Sequence, residues 1–595
     1  MLNYKTLLLW SSTLIAFTIL SGTVLSNLNT SADMLFGTVN GKVKAPASCM
    51  LETGKAVNAK MKSLAAGTEV AYRANDNHIH AFRRADSLPE GFEPSTANTI
   101  SAESAEHPIY IFFDSTDSAD VMYYYTDGDK VIMPEDSSFL FSGNNALSDI
   151  SGLADFDSSN TTDLTAFLAD TAIINVDALS AWETSNVRSL SLAFGIDITS
   201  YNDDGVRSQL TDVSGLSNWD TSNVTNMSFL FESAEKLLSA EAIENWDTGK
   251  VTNTACMFAW TDLITSLDLS RWDMSNVTSM FGMFLGMESL TSLNMSNWSI
   301  EKVTDLSFMF SGDKALQTID VTGWNTGNVT NMAWMFQVGD SHVGNGQLRE
   351  IKGIGDWDVS HVTDMTGMFY GAGNMTHYDI ADWNVSKVES MNHLFCDNFK
   401  LESLDLSKWD VSSVKTMYDM FDDAYALKTI GDVSRWNTAN LIDIGGWLNF
   451  ASSFVGENGM LDLSGWDTRK LKAVGEAFRA TKLTTIDLSG WDFSAVTNAS
   501  WEGAGNGMYY ETGNTFGYKG FASMFLDMPQ LQTVYVSPAG LDSYNAAVAN
   551  GADTTNMWSG SNISDFTVKP KQSRNNGLQD RLFLNFNDNL NHMPT

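Results

Sequence analysis

The sequence predicts an α/β repeat solenoid: a right-handed stack of about thirteen turns, each with one short parallel strand and one short helix. Three observations predict it. Twelve tryptophans recur at residues 182, 219, 246, 272, 298, 324, 357, 383, 409, 436, 466 and 491, mostly 25 to 27 residues apart. Val or Leu follows every one of them by five residues, and Phe follows ten of the twelve by twelve residues. Ahead of many of them runs an alternating segment such as LTSLNMSNW (290–298), LQTIDVTGW (316–324) or LESLDLSKW (401–409). Phe156 lies 26 residues before Trp182 and reads as a degenerate thirteenth member.

The helix is expected after the Trp. Val224, Met227 and Phe231, or Val277, Met280 and Phe284, share the spacing of one face of a short helix or 3₁₀ segment. Thr225, Thr278, Thr304, Thr330 and Thr363 stand where they would cap it. The strand is expected before the Trp, near 267–269, 319–321 and 404–406, because period-two alternation gives a strand one buried face. Neither element can bury its apolar side alone, so the turns must stack.

These residues resemble the BspA-like leucine-rich-repeat surface proteins, whose repeat of about 26 residues reads WDxSxVTxMxxMF. WDMSNVTSMFGMF (272–284), WNTGNVTNMAWMF (324–336) and WDVSHVTDMTGMF (357–369) carry the resemblance. It implies a leucine-rich-repeat-like solenoid, a secreted or surface-exposed location, and for some members adhesion to matrix proteins or other cells. The flanks at 110–141 and 524–536 look like the segment leading into such an array and its closing unit.

The remaining chain divides around that array. Lys5 precedes 27 uncharged residues containing LLLWSSTLIAFTIL, the layout of a signal peptide at 1–26, with cleavage after Ser26 or Ala32. An uncleaved membrane anchor is the alternative. Residues 27–135 form an N-terminal region with a β-rich lead-in, 136–545 the solenoid and 546–595 a polar tail. Insertions stretch the period near 198–209, 337–347 and 501–521.

Composition excludes several functions. The net charge of −37 argues against nucleic acid as a partner, since phosphates would be repelled. Three cysteines, Cys49, Cys256 and Cys396, make neither a disulfide framework nor a zinc motif. The eight histidines form no common column, and no HExxH, GxSxG or phosphate-cradling loop occurs, so no enzyme is expected.

Two features are candidates for binding. The first is an acidic ladder four residues before the Trp: Asp268, Asp320, Asp379, Asp405, Asp432, Asp462 and Asp487, with Asn294 in one unit. On stacked strands about 4.8 Å apart these carboxylates would repel one another. Calcium, a basic partner, or hydrogen bonds to neighbouring hydroxyl and backbone groups would offset that. A second acidic column directly after the Trp, including Asp220, Asp273 and Asp410, reads as structural turn acceptors. The other candidate is the aromatic insertion with Trp501, Tyr509, Tyr510, Phe516 and Tyr518, a recognition loop or a cover for the end of the core. The whole predicts a monomeric, secreted or cell-surface recognition protein that binds protein or glycan, with no cofactor unless calcium sits on the ladder. A self-associating structural protein of the cell surface or matrix is the alternative.

Overall fold

The computed structural model describes residues 49–116, 120–197, 207–343, 345–498 and 519–569. The expected signal segment, most of the 198–209 and 501–521 insertions and the end of the tail lie outside the described residues.

The described part of the chain opens with helix α1 (Gly54–Ala66) and strands β1 (Ala81–Arg84), β2 (Tyr110–Asp114) and β3 (Val121–Tyr125), in sheet order β1-β3-β2. This unit covers the first turn of the array. Phe82 N–H donates to Asp149 O at 2.8 Å, and Gly54 N–H donates to Asp136 O at 3.0 Å. A Cβ on Gly54 would stand 2.4 Å from Ser138 O, so only glycine permits the helix to start there. The buried Lys62 ammonium donates to Tyr72 O, Ala74 O and Ser142 O, tying α1 to the lead-in.

Beyond it the turns stack. Counting from each repeat Trp, the residue at position +7 bridges in parallel to its counterpart in the next turn. The series runs from Asp163 through Ser189, Asn226, Asn253, Ser279, Asp305, Asn331, Asp364, Ser390, Thr416 and Asp443 to Ala473. All twelve tryptophans are buried, at most 5% exposed. Neighbouring indoles stack, as Trp182 with Trp219 at 6.3 Å and Trp324 with Trp357 at 6.3 Å. The Phe column at +12 stacks in parallel with them; Phe284, Phe310 and Phe336 lie 5.8 and 5.6 Å apart. One apolar core therefore runs from Cys49 to Met557.

Among the described residues, neither a helix nor a 3₁₀ segment forms after the repeat Trp; only single turns do, such as Glu232 N–H to Phe229 O at 3.0 Å. N–H groups at +8, +10, +12 and +14 donate to carbonyls of the next turn instead: Met227 to Asn253, Phe229 to Ala255, Phe231 to Met257 and Ser233 to Ala259, at 2.8–3.0 Å. An α-helix would spend those donors on its own carbonyls and leave none for the neighbour. Keeping them pointed outward places left-handed backbone at +10, at Phe229, Cys256, Phe308, Trp334, His393 and Asp419. The threonines expected as caps are rungs. Thr304 donates both its N–H (2.9 Å) and its Oγ1 (3.2 Å) to Thr278 O, one turn back.

The strands are shorter and less continuous than expected. Parallel pairs form between β4 (Ser266–Asp268) and β5 (Ser292–Asn294) and between β6 (Thr318–Asp320) and β7 (Glu350–Lys352). A four-stranded sheet joins β8 (Met460–Asp462), β9 (Thr485–Asp487), β10 (Thr533–Val536) and β11 (Thr567–Val568). Near 404–406 only an isolated bridge, Ser403 to Thr429, is made. Other turns hold a 3₁₀ segment on that side, as at Ser214–Leu216 and Glu241–Ile243.

The array also runs past residue 545. Helix α2 (Pro538–Ala549) crosses that boundary, and β11 pairs with β10. Trp558 stacks on Phe525 at 4.5 Å, and Phe521 is buried against Tyr544. The last turn of an apolar stack needs such a cover, and residues placed in the polar tail supply it.

Candidate functional site

The acidic ladder lies on the outward face of the strand side. Asp268, Asp320, Asp379, Asp405 and Asp432 are exposed, Asp462 is half-buried and Asp487 is buried. Six of these seven carboxylates accept the backbone N–H two residues on, for example Asp320 from Thr322 at 3.1 Å, Asp405 from Ser407 at 3.1 Å and Asp432 from Ser434 at 3.0 Å. Each such turn is closed by its own Asp, which is why the residue type recurs. Hydroxyl and backbone donors from these neighbours hold Asp268, Asp320, Asp405 and Asp432 below the usual carboxylate range, so the exposed face stays ionised.

The column is not an unbroken file of charge. Asn294 Nδ2 donates to Asp268 Oδ1 at 2.9 Å, Lys352 stands in register with Asp320, and Lys569 pairs with the buried Asp487. Asp487 is pushed up by burial, but the bonds from Lys569 and Ser489 outweigh that and its carboxyl titrates low. The second acidic column makes the turns expected of it, as Asp220 with Ser222, Asp273 with Ser275 and Asp410 with Ser412. Trp501, Tyr509, Tyr510, Phe516 and Tyr518 lie outside the described residues.

No ladder carboxylate takes part in a converging group of three metal-ligand side chains among the described residues. The group that does converge, His342, Asp397 and Asp423, lies elsewhere. His342 comes from the insertion at 337–347; Asp397 and Asp423 occupy position +14 of two successive later turns. Sequence reading singled out the insertion but not its histidine, because the partners are 55 and 81 residues away. The buried thiols of Cys256 and Cys396 are pushed well up by burial, and His393 is held down at about 4, which leaves them unsuited to nucleophilic or base chemistry at neutral pH. No helix among the described residues is long and apolar enough to cross a membrane.

Comparisons with known proteins place the repeat. Residues 135–258, 204–292, 259–348, 340–460 and 405–506 match a family model described as "Mycoplasma protein of unknown function, DUF285". No curated protein matches the chain. Among solved structures, one described as the TLR13–ssRNA13 complex matches at 12% identity, with 69% of this chain, 78% of that chain and a TM-score of 0.16. Another, the Toll–Spatzle complex of Drosophila, matches at 10% identity, with 69% of this chain, 60% of that chain and a TM-score of 0.16.

Proposed function

The chain belongs to the DUF285 family, and from that premise we propose that it is a non-enzymatic recognition protein of the BspA-like kind, secreted or displayed at the cell surface. On this reading the stack is a right-handed, leucine-rich-repeat-like solenoid whose strand face and inserted loops bind a protein or glycan on another cell or matrix. One observation carries the reading. A rigid stack with one continuous core presents five exposed carboxylates, Asp268, Asp320, Asp379, Asp405 and Asp432, in one column. Their charge is spent on no buried ion pair, so the column offers a negative surface to a basic patch or a cation-bearing ligand. The uncharged apolar segment at 6–32 supports export.

The test is a panel of immobilised matrix proteins and glycans probed with the purified chain, alongside sedimentation at rising concentration. Saturable binding to a panel member by a monomer supports the recognition reading. Concentration-dependent self-assembly without any foreign partner would replace it with a structural matrix role.

A further inference from the structure

We propose that His342, Asp397 and Asp423 form a site for one divalent transition-metal ion, of the zinc or manganese class, that fastens the 337–347 loop to the back of the stack. The proposal goes beyond the recognition reading and does not depend on it.

The geometry comes first. His342 Nδ1 lies 2.8 Å from Asp423 Oδ2 and 3.3 Å from Asp397 Oδ1, and one ligand atom from each residue falls within 4.8 Å of the other two. An ion held about 2.1 Å from each of three tetrahedral ligands needs them roughly 3.4 Å apart. Both imidazole–carboxylate separations lie below that value, the longer one close to it, so an ion would spread the ligands slightly. The loop is also built to deliver the imidazole. His342 has left-handed backbone (φ 57°), and its N–H donates to Asp397 Oδ2 at 2.9 Å. Asp340 and Asn345 close the loop on itself at 2.7 and 2.8 Å, and Asn374 Nδ2 holds Gly346 O at 2.6 Å.

A second observation points to a ligand. Asp397 is 0% exposed, and its Oδ1 makes no hydrogen bond while facing His342 Nδ1 at 3.3 Å. A buried carboxylate oxygen without a hydrogen bond is costly, and a dication offsets that cost. Position +14 is Asp in two successive turns, at Asp397 and Asp423, where the loop reaches both; it is Gly371 in the turn before, Phe450 in the turn after, and Asp again in the first turn, at Asp170. The His342 side chain is 63% exposed, so an ion has a path in from solvent.

The donor set selects the ion. One imidazole nitrogen with two carboxylates suits zinc or manganese, whereas calcium seeks six to eight oxygens.

The experiment uses the full chain, stripped with chelator and titrated calorimetrically with zinc and with manganese, with thermal melts in parallel. One equivalent of either ion should saturate the protein and raise its melting temperature. His342→Ala changes an exposed side chain, so the variant should fold, and it should weaken that binding roughly tenfold or more. Asp423→Asn should do the same, and His361→Ala should change nothing. The proposal is overturned if neither ion binds stoichiometrically, if His342→Ala binds like the wild type, or if only calcium stabilises the protein.

Discussion

Trp298 donates its indole N–H to the carbonyl of Leu269, 29 residues earlier, at 2.8 Å. The same bond recurs from Trp219 to Leu179, Trp246 to Leu216, Trp272 to Ile243, Trp409 to Ile380 and Trp491 to Leu463. Ten of the twelve repeat tryptophans thus fill the core with their rings and staple their turn to an earlier one with their one polar atom. Trp182 reaches Leu153, three residues before Phe156, which puts Phe156 in register with the tryptophans.

That staple has an internal control. Trp357 is equally buried, but its Nε1 has no hydrogen-bond partner. Trp298→Phe and Trp357→Phe remove similar volume, and only the first removes a hydrogen bond. Trp298→Phe should therefore cost about 1 kcal/mol more in chemical denaturation. Equal costs would mean that the indole bond contributes nothing.

Truncation within the Phe column should damage the stack locally. Phe310 is fully buried between Phe284 and Phe336, so Phe310→Ala should cost about 3–5 kcal/mol. Contacts run between neighbouring turns, so limited proteolysis should cut near residue 310 and release protected fragments. Uniform digestion along the chain would show instead that the array unfolds as one unit.

Buried acids in the +7 column make stability pH-dependent. Burial raises Asp443 from 3.8 to about 6, against the opposing bond from Gly445 N–H. The folded value lies above the unfolded one. The ionisation cost is therefore absent below pH 3.8, grows as pH rises, and is complete above about pH 6. Asp443→Asn keeps the acceptor oxygen for Gly445 and removes the charge. The variant should match the wild type near pH 4 and exceed its stability at pH 8 by up to roughly 3 kcal/mol. A difference that does not change with pH would contradict the assignment.

Much of this stack was legible from spacing. Trp, Val and Phe at fixed offsets announce the period and the core, because a stacked turn must place the same bulk at the same point each time. The ladder's role was legible only in part: Asp405 and Ser407 show a turn, but Lys569 reaches Asp487 across 82 residues. The missing helix was not legible. Position +10 is left-handed at residues as unlike as Phe308, His393 and Asp419, so no residue type marks it. The requirement comes from the neighbouring turn's carbonyls. The His342 cluster was hidden for the same reason, since stacking and a folded-back loop bring its members together.

The central claim is that the exposed acidic column is a binding surface. The most direct measurement is the association rate of the full chain with an immobilised basic partner from the binding panel, for the wild type and for Asp379→Asn with Asp405→Asn, from low to physiological salt. At 0.15 M, charges are screened beyond about 8 Å, so the wild-type rate should fall as salt rises. The double variant keeps shape and acceptor oxygens, so it should fold normally, associate more slowly at low salt and respond less to added salt. Rates that are identical for the two proteins and insensitive to salt would contradict the account and move binding away from the strand face.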